Sequence, residues 1–245
     1  MTRIAIVSDV HADVHALEDA LAQAARMGCD AVICAGDLVD CGLFPDETIA
    51  LLRDRAIPCI RGNHDRWRVA DHAAATSGDG SIDRFTGSGA ELALETLQFL
   101  AALPLEWNGV IDGVRVALRH GTPRSDMDGI FPSEASQAEV QRWLEQAQAD
   151  VLIVGHTHQA FTLTTLSGSM IANPGALLRD ESAHRSLGLV YDPQRNTYAL
   201  AENPAGGTFG VLELPSRTFK VFRAADGSEV EIPRLVVGVN DSRHR

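Results

Sequence analysis

The sequence has no apolar run that approaches the ~18 residues needed to cross a bilayer, so we expect no membrane partner. Its first apolar segment, residues 4–7, is soon followed by Asp9 and His11. That segment is too short to be the core of a signal peptide. We therefore expect a cytoplasmic protein.

Basic residues are scarce. The 21 lysines and arginines stand against 33 aspartates and glutamates, which gives a formal net charge of -12. Proteins that bind nucleic acids stably neutralise backbone phosphates with Lys and Arg, so this balance argues against stable nucleic-acid binding. A negative net charge still permits a local positive site that binds a small molecule.

Cysteine is also sparse, and the four cysteines all lie in the first quarter of the chain, at Cys29, Cys34, Cys41 and Cys59. None of them forms a Cys-x-x-Cys pair, which disfavours a zinc ribbon or a redox dithiol. We expect four reduced thiols, several of them packed in the core.

The first hundred residues alternate between short apolar runs and segments with helical spacing. Residues 14–27 illustrate the second kind, with Leu17, Ala20 and Ala24 three and four positions apart. The predicted elements are strand 4–8, helix 14–27, strand 31–35, helix 45–53 and strand 58–61. This order is typical of βαβ units and a largely parallel sheet.

The second half is richer in strands. Asp112-Gly113 and Asp226-Gly227 predict hairpin turns. The other predicted elements include helices over 90–103 and 134–148 and a buried strand over 151–154. We expect an α/β fold with two sheets packed face to face and helices outside, in a single domain over 1–245. Residues 68–89 are predicted to be a lid or insertion loop, and 240–245 a frayed tail.

Polar side chains follow five of the apolar runs. The clusters are Ser8-Asp9-Val10-His11, Gly36-Asp37-Leu38-Val39-Asp40, Gly62-Asn63-His64-Asp65, Arg119-His120-Gly121 and Gly155-His156-Thr157-His158. In an open α/β sheet, ligand sites form beyond the carboxyl ends of the strands. The sequence therefore predicts that Asp, Asn and His side chains meet at one rim.

These residue types suit transition metals. Asp9 and His11, like His156 and His158, are two residues apart, so each pair points to the same side of an extended chain. Imidazole, carboxylate and amide donors without thiolate suit Mn, Fe or Zn. The clusters contain more candidate ligands than one ion needs, which implies two ions. Asp37 is best placed to bridge them.

The five clusters resemble the motif series of the calcineurin-like metallophosphoesterases: D-x-H, G-D-x-x-D, G-N-H-D/E, a later His-Gly and G-H-x-H. Asn173-Pro174-Gly175 is similar to the N-P-G of the small bacterial branch that includes the YfcE-type phosphodiesterases. The resemblance covers roughly residues 1–225. It implies a four-layer α/β/β/α sandwich with two mixed β-sheets, the metallo-dependent phosphatase fold.

The resemblance also implies roles for the rim residues. The first ion would be held by Asp9, His11 and His158, the second by Asn63, His120 and His156, with Asp37 bridging. His64 would contact the phosphate together with Asn63 and act as general acid, and Asp40 would orient His64. Arg179 is a further candidate phosphate contact.

The function implied is a dinuclear metal-dependent hydrolase of phosphate esters. A hydroxide that bridges the ions would attack phosphorus in line, while His64 protonates the leaving group. The substrate would be a small soluble phosphodiester or nucleotide. We expect two divalent ions, with Mn first and Fe, Zn, Co or Ni as alternatives.

Three alternatives remain open at this level. One is a phosphomonoesterase and another is a phosphoprotein phosphatase, although Cys41 stands where the latter enzymes have Arg and Asp65 where they have Glu. The third is a non-catalytic metal-binding scaffold, which the presence of His64 and of every ligand disfavours. The physiological substrate and the oligomeric state are left open.

Overall fold

A computed structural model describes residues 1–77, 91–179 and 207–238, together with the backbone of two strands between the last two ranges. The helices are α1 (Val14–Arg26), α2 (Pro45–Asp54), α3 (Asn63–Ser77), α4 (Leu94–Ala102) and α5 (Gln137–Ala147). The strands are β1 (Thr2–Val7), β2 (Ala31–Cys34), β3 (Glu106–Ile111), β4 (Val114–Arg119), β5 (Val151–Ile153), β6 (Phe161–Thr165), β7 (Met170–Asn173), β8 (Leu189–Asp192), β9 (Thr197–Leu200), β10 (Thr208–Leu214), β11 (Thr218–Arg223), β12 (Glu229–Val230) and β13 (Arg234–Val237).

Two mixed sheets form the centre of the fold. The five-stranded sheet has the order β12-β11-β10-β1-β2, with β1 parallel to β2 and antiparallel to β10. The six-stranded sheet has the order β13-β6-β7-β5-β4-β3, with β5 parallel to both β4 and β7. Strands β8 and β9 pair only with each other in the described part of the chain. The predicted two-sheet architecture is confirmed.

Alternation along β1 shows how the layers are built. Ile4 and Ile6 pack between the two sheets, whereas Ala5 and Val7 face the opposite way, onto α1 and α2. A third core lies between α5 and the outer face of the six-stranded sheet. Because side chains alternate along a strand, each sheet supplies two apolar faces. Three cores separate four layers, in agreement with the α/β/β/α expectation.

Several predicted boundaries were wrong. The third strand, predicted over 58–61, is reduced to a single bridge between Cys34 and Cys59. The helix predicted over 90–103 begins only at Leu94. The helix predicted from 134 begins at Gln137, because Ser136 and Glu139 form a capping box that fixes its start.

The predicted lid also needs correction. Its first part, residues 68–77, continues α3 as regular helix rather than loop. The remainder, 78–89, and the predicted tail, 240–245, lie outside the described residues. In the described part of the chain, no helix combines the length and apolarity that crossing a membrane requires.

The loops that follow four strands converge at one edge of the sandwich. Backbone hydrogen bonds join the segment after β1 to the segment after β2, from Asp9 to Gly36 and from His11 to Asp37. The segment after β5 is tied to the end of β4 through the Gly155 amide and the His120 carbonyl. These bonds hold neighbouring candidate ligands together within each of the two sheets.

Candidate metal centre

Six of the seven predicted ligands form two compact groups. The donor atoms of Asp9, His11 and His158 lie within 4.8 Å of one another, and so do those of Asp37, His120 and His156. The seventh predicted ligand, Asn63, joins the second group. Its Oδ1 atom lies 3.0 Å from His120 Nε2 and 3.0 Å from His156 Nδ1. The structure therefore brings all seven side chains together.

Two carboxylates link the groups. Asp37 Oδ2 lies 3.1 Å from His120 Nε2 and 3.8 Å from His11 Nε2. Asp9 Oδ1 lies 3.4 Å from His158 Nε2 and 4.0 Å from His120 Nε2. Since each carboxylate faces imidazoles of both groups, the two groups form one continuous centre.

Backbone amides fix both carboxylates. The His64 amide donates to Asp37 Oδ1 at 2.9 Å, which leaves Oδ2 facing the imidazoles. The His156 amide donates to both oxygens of Asp9 at 3.1 Å. These bonds orient each carboxylate before any ligand binds.

The donor set fits divalent cations. His11 Nε2 and His158 Nε2 face each other at 3.1 Å, a convergence of nitrogen lone pairs that an ion between them would satisfy. Asn63 Oδ1 likewise converges with two imidazole nitrogens. The seven candidate ligands are nitrogen and oxygen donors, which suits Mn, Fe or Zn rather than a structural cysteine-zinc site.

Backbone strain is concentrated at the same residues. Five of the ligands have left-handed φ angles: Asp9 53°, His11 49°, Asp37 53°, His156 66° and His158 57°. A non-glycine residue in a sparsely populated region costs about 1–3 kcal/mol, and such residues cluster at functional sites. The strained backbone of these five residues therefore coincides with the place where their side chains meet.

His64 lies at the edge of this centre. Its ring is 5.0 Å from the His11 ring, and its Nδ1 atom is 3.2 Å from Asp40 Oδ2. The other oxygen of Asp40 lies 3.5 Å from Arg68 Nε, so the carboxylate is held between a guanidinium and an imidazole. Burial opposes protonation of His64, but the charges of Asp37 and Asp40 and the hydrogen bond to Asp40 raise its pKa.

The family model for the calcineurin-like phosphoesterase superfamily domain matches residues 2–196. The chain belongs to this superfamily. The resemblance based on the sequence motifs is therefore confirmed, and the two groups of ligands lie within the matched phosphoesterase domain.

Individual proteins resemble the chain in sequence or in fold. An uncharacterized protein of Methanocaldococcus jannaschii is 29% identical over 188 residues, which are 73% of this chain and 71% of the relative. The crystal structure of a metallophosphoesterase from Sphaerobacter thermophilus matches with a TM-score of 0.60 at 24% identity, covering 94% of this chain and 89% of that one. YfcE, a phosphoesterase from E. coli, matches with a TM-score of 0.51 at 17% identity, covering 94% and 97%. These two structural likenesses show the shared fold.

The electrostatics of the site favour an ionised, paired centre. Burial opposes ionisation of Asp9, but the charge and hydrogen bond of His158 outweigh it and lower the pKa to about 2. Burial likewise opposes the charge on Asp37, yet His120 and His64 hold its pKa well below the usual value. Burial lowers the pKa of His11 to about 3. Burial also opposes charge on His120, but Asp37 raises its pKa to about 10.

We expect metal uptake to release protons. Because the pKa of His120 is about 10 without metal, this imidazole is protonated near neutral pH and must lose that proton to donate a lone pair. His11, with a pKa of about 3, is already neutral and releases none. Apparent metal affinity should therefore rise roughly tenfold per pH unit up to the pKa of His120.

Titration calorimetry of the metal-free protein with Mn²⁺, in buffers of different ionisation enthalpy, measures this release. About one proton should leave at about pH 7.5. Replacing His120 with Asn should remove the release, whereas replacing the exposed His15 with Asn should not. Zero proton release by the unmodified protein would contradict the expectation.

Asp65 is a residue whose role sequence reasoning missed. Its buried carboxylate accepts hydrogen bonds from the amides of Leu38, Val39 and Gly62 at 2.8, 3.2 and 2.9 Å. It thus ties the loop that carries Asp37 to the start of α3, where Asn63 lies. Burial and the charge of Asp37 raise its pKa to about 7. Its place after Gly-Asn-His was the only sequence signal.

Asn173 has a similar supporting role. Its Nδ2 donates to the Gly155 carbonyl at 2.8 Å and to Thr157 Oγ1 at 3.1 Å, while its Oδ1 accepts from the Gly175 amide at 2.8 Å. These bonds hold the segment that carries His156 and His158. The Asn-Pro-Gly motif therefore has a structural function beside the centre.

Arg179 lies beside the start of α1. Its guanidinium donates to Asp13 at 3.1 and 3.2 Å and to Asp19 at 2.9 Å. These carboxylates lie at the start and in the first half of α1. Among the described residues, no contact joins Arg179 to the side chains of the centre, and its role as a phosphate contact stays a prediction.

Proposed function

We propose that this protein is a dinuclear metal-dependent phosphodiesterase that acts on a small soluble phosphodiester or nucleotide. The observation that carries the proposal is the convergence of seven N and O donors into two adjoining groups, with His64 at their edge. Membership of the calcineurin-like superfamily supports the hydrolytic class.

The first group would hold one divalent ion and the second group, with Asn63, the other, with Asp37 between them. Mn²⁺ is our first choice because histidine, carboxylate and amide donors suit it. When bound, the two ions supply positive charge that attracts a phosphate and Lewis acidity that activates water. That local charge explains how a protein of net charge -12 could bind an anionic substrate.

His64 would supply the proton that the leaving group needs. Asp40 accepts from Nδ1, which leaves Nε2 to donate to the leaving-group oxygen. Only 13% of the His64 side chain is exposed, so bulk water competes weakly for that proton. Asp40 is then a positioning residue, since it acts through His64 and touches no substrate.

A diester is the better substrate in this proposal than a phosphoprotein. Cys41 follows Asp40 where phosphoprotein phosphatases have an Arg, and it lies with His11 and His64 in one cluster. Burial raises the pKa of this thiol, so it is neutral and offers no charge to a phosphate dianion. A diester carries one negative charge less than a monoester and needs less cationic compensation.

The test compares bis-p-nitrophenyl phosphate with p-nitrophenyl phosphate, using metal-stripped protein with and without added Mn²⁺. We expect turnover of the diester to require Mn²⁺, to be lost on chelation and to exceed turnover of the monoester. Preference for the monoester would favour a phosphatase. No turnover of either ester by protein that retains bound Mn²⁺ would favour the scaffold alternative.

A further inference from the structure

A cavity of about 480 Å³ lies beside the candidate metal centre. His120 and Gly121 form part of its wall, and the residues that concern its charge are Arg66, Glu106, Arg119, Arg124 and Asp126. A cavity of this size is within the range of small-molecule sites in proteins. Three arginines in one wall are unusual in a chain with so few basic residues.

Two of the three arginines are neutralised by carboxylates. Arg66 donates through Nε and Nη2 to the two oxygens of Asp126, at 2.7 and 3.0 Å. Arg119 Nη2 lies 2.9 Å from a carboxylate oxygen of Glu106. These pairs shape the wall and contribute little net charge to the cavity.

Arg124 differs from the other two. Its Nε and Nη2 atoms donate to the amide oxygen of Gln146, each at 3.0 Å, in the amide orientation that satisfies both groups. Gln146 is uncharged, and within the described ranges no carboxylate lies at ion-pair distance from Arg124. The cavity therefore carries one guanidinium whose charge the surrounding protein leaves uncompensated.

One loop separates this cavity from the metal centre. Asp126, in the cavity wall, is followed by Met127, whose carbonyl accepts from His156 Nε2 at 3.0 Å. Arg66 enters the wall from α3, two residues after His64. A substrate with its scissile phosphate at the centre could thus extend past this loop into the cavity.

We propose that the cavity binds a second phosphate group, carried by the non-scissile part of the substrate, and that Arg124 provides the compensating charge. This inference rests on the proposed function and specifies its substrate class: phosphodiesters with a further phosphate monoester. Arginine suits the task because Gln146 takes only Nε and one Nη2 hydrogen, which leaves the Nη1 hydrogens and the second Nη2 hydrogen to donate to phosphate oxygens. The pairing of Arg66 and Arg119 leaves a single cation for that group.

Two substrates that differ only in the second phosphate test this proposal. They are thymidine 5′-(p-nitrophenyl phosphate) and the same compound with a 3′-phosphate. We expect the wild-type protein with Mn²⁺ to have a KM about tenfold lower for the second, as one charged hydrogen-bonded contact provides. Arg124→Gln should bring the ratio of the two KM values close to one.

Arg234→Gln is the matched control, since Arg234 is also an exposed arginine but lies on β13, at the opposite edge of the six-stranded sheet from β3. It should leave the ratio at the wild-type value. Equal KM values for the two substrates in the wild-type protein would overturn the cavity proposal while leaving the proposed function intact. A ratio that Arg124→Gln does not change would also overturn it.

If neither substrate is hydrolysed, the proposed function fails. A binding experiment then tests whether the cavity is a phosphate site. Thymidine 3′,5′-bisphosphate is then titrated into the Mn²⁺-loaded protein and followed by calorimetry. Binding that weakens about tenfold in Arg124→Gln, but not in Arg234→Gln, would support the cavity as a phosphate site. Absence of binding, or binding insensitive to Arg124→Gln, would overturn it.

Discussion

Replacing Asp37 with Asn is expected to lower kcat/KM for bis-p-nitrophenyl phosphate by about 10,000-fold, or about 5.5 kcal/mol. Asp37 Oδ2 is the carboxylate oxygen that lies 3.1 Å from His120 Nε2 and 3.8 Å from His11 Nε2. An amide of the same size removes the negative charge that two neighbouring cations require. It also offers fewer lone pairs to them.

The measurement combines steady-state kinetics with the metal content of the dialysed protein. We expect Asp37→Asn to lose at least one ion per chain while its circular dichroism spectrum remains that of the wild type. Asp150→Asn is the control, because Asp150 is another ion-paired carboxylate, bound to Arg115 at the far end of β4. It should retain activity. An Asp37→Asn protein with two ions and near-normal turnover would contradict the proposed bridging role.

Replacing His64 with Ala should reduce kcat for an alkyl phosphodiester by about 100- to 10,000-fold, the range typical of a lost general acid. The seven candidate ligands remain in place, so metal content should change little. His72→Ala is the matched control, since His72 is an exposed histidine two turns further along the same helix. It should leave kcat unchanged.

The leaving group separates acid catalysis from other roles of His64. A p-nitrophenolate departs without much help, whereas an alkoxide needs a proton in the transition state. The loss caused by His64→Ala should therefore be larger for an alkyl diester than for bis-p-nitrophenyl phosphate. Equal losses for both substrates would show that His64 stabilises the phosphate rather than donating the proton.

Asp65 explains why part of the site could not be predicted. Its position after Gly-Asn-His placed it in a motif, but its three amide partners include Leu38 and Val39, more than 25 residues earlier. A sequence motif records which residues are neighbours along the chain. It does not record which distant amides a carboxylate meets once two loops are packed together.

Arg179 also has partners that its sequence position does not reveal, and the segment 68–77 is a different case. Arg179 follows the Asn-Pro-Gly motif closely enough to suggest a phosphate contact, yet it pairs with Asp13, 166 residues away. Residues 68–77 contain four alanines and extend α3 as helix. Alanine has the highest helix propensity, so local propensity favours this helix and the predicted loop was wrong.

The sequence by itself determined the order of the first two strands and two helices, the two-sheet fold and the seven side chains that converge in the candidate metal centre. It could do so because apolar runs define buried strands, and because the polar residues directly after them are carried to the same edge of the sandwich. The tertiary structure alone decided the anchoring by Asp65, the pairing of Arg179 and the cavity beside His120. Each of these depends on contacts between segments far apart in the chain, where no local pattern fixes the partner.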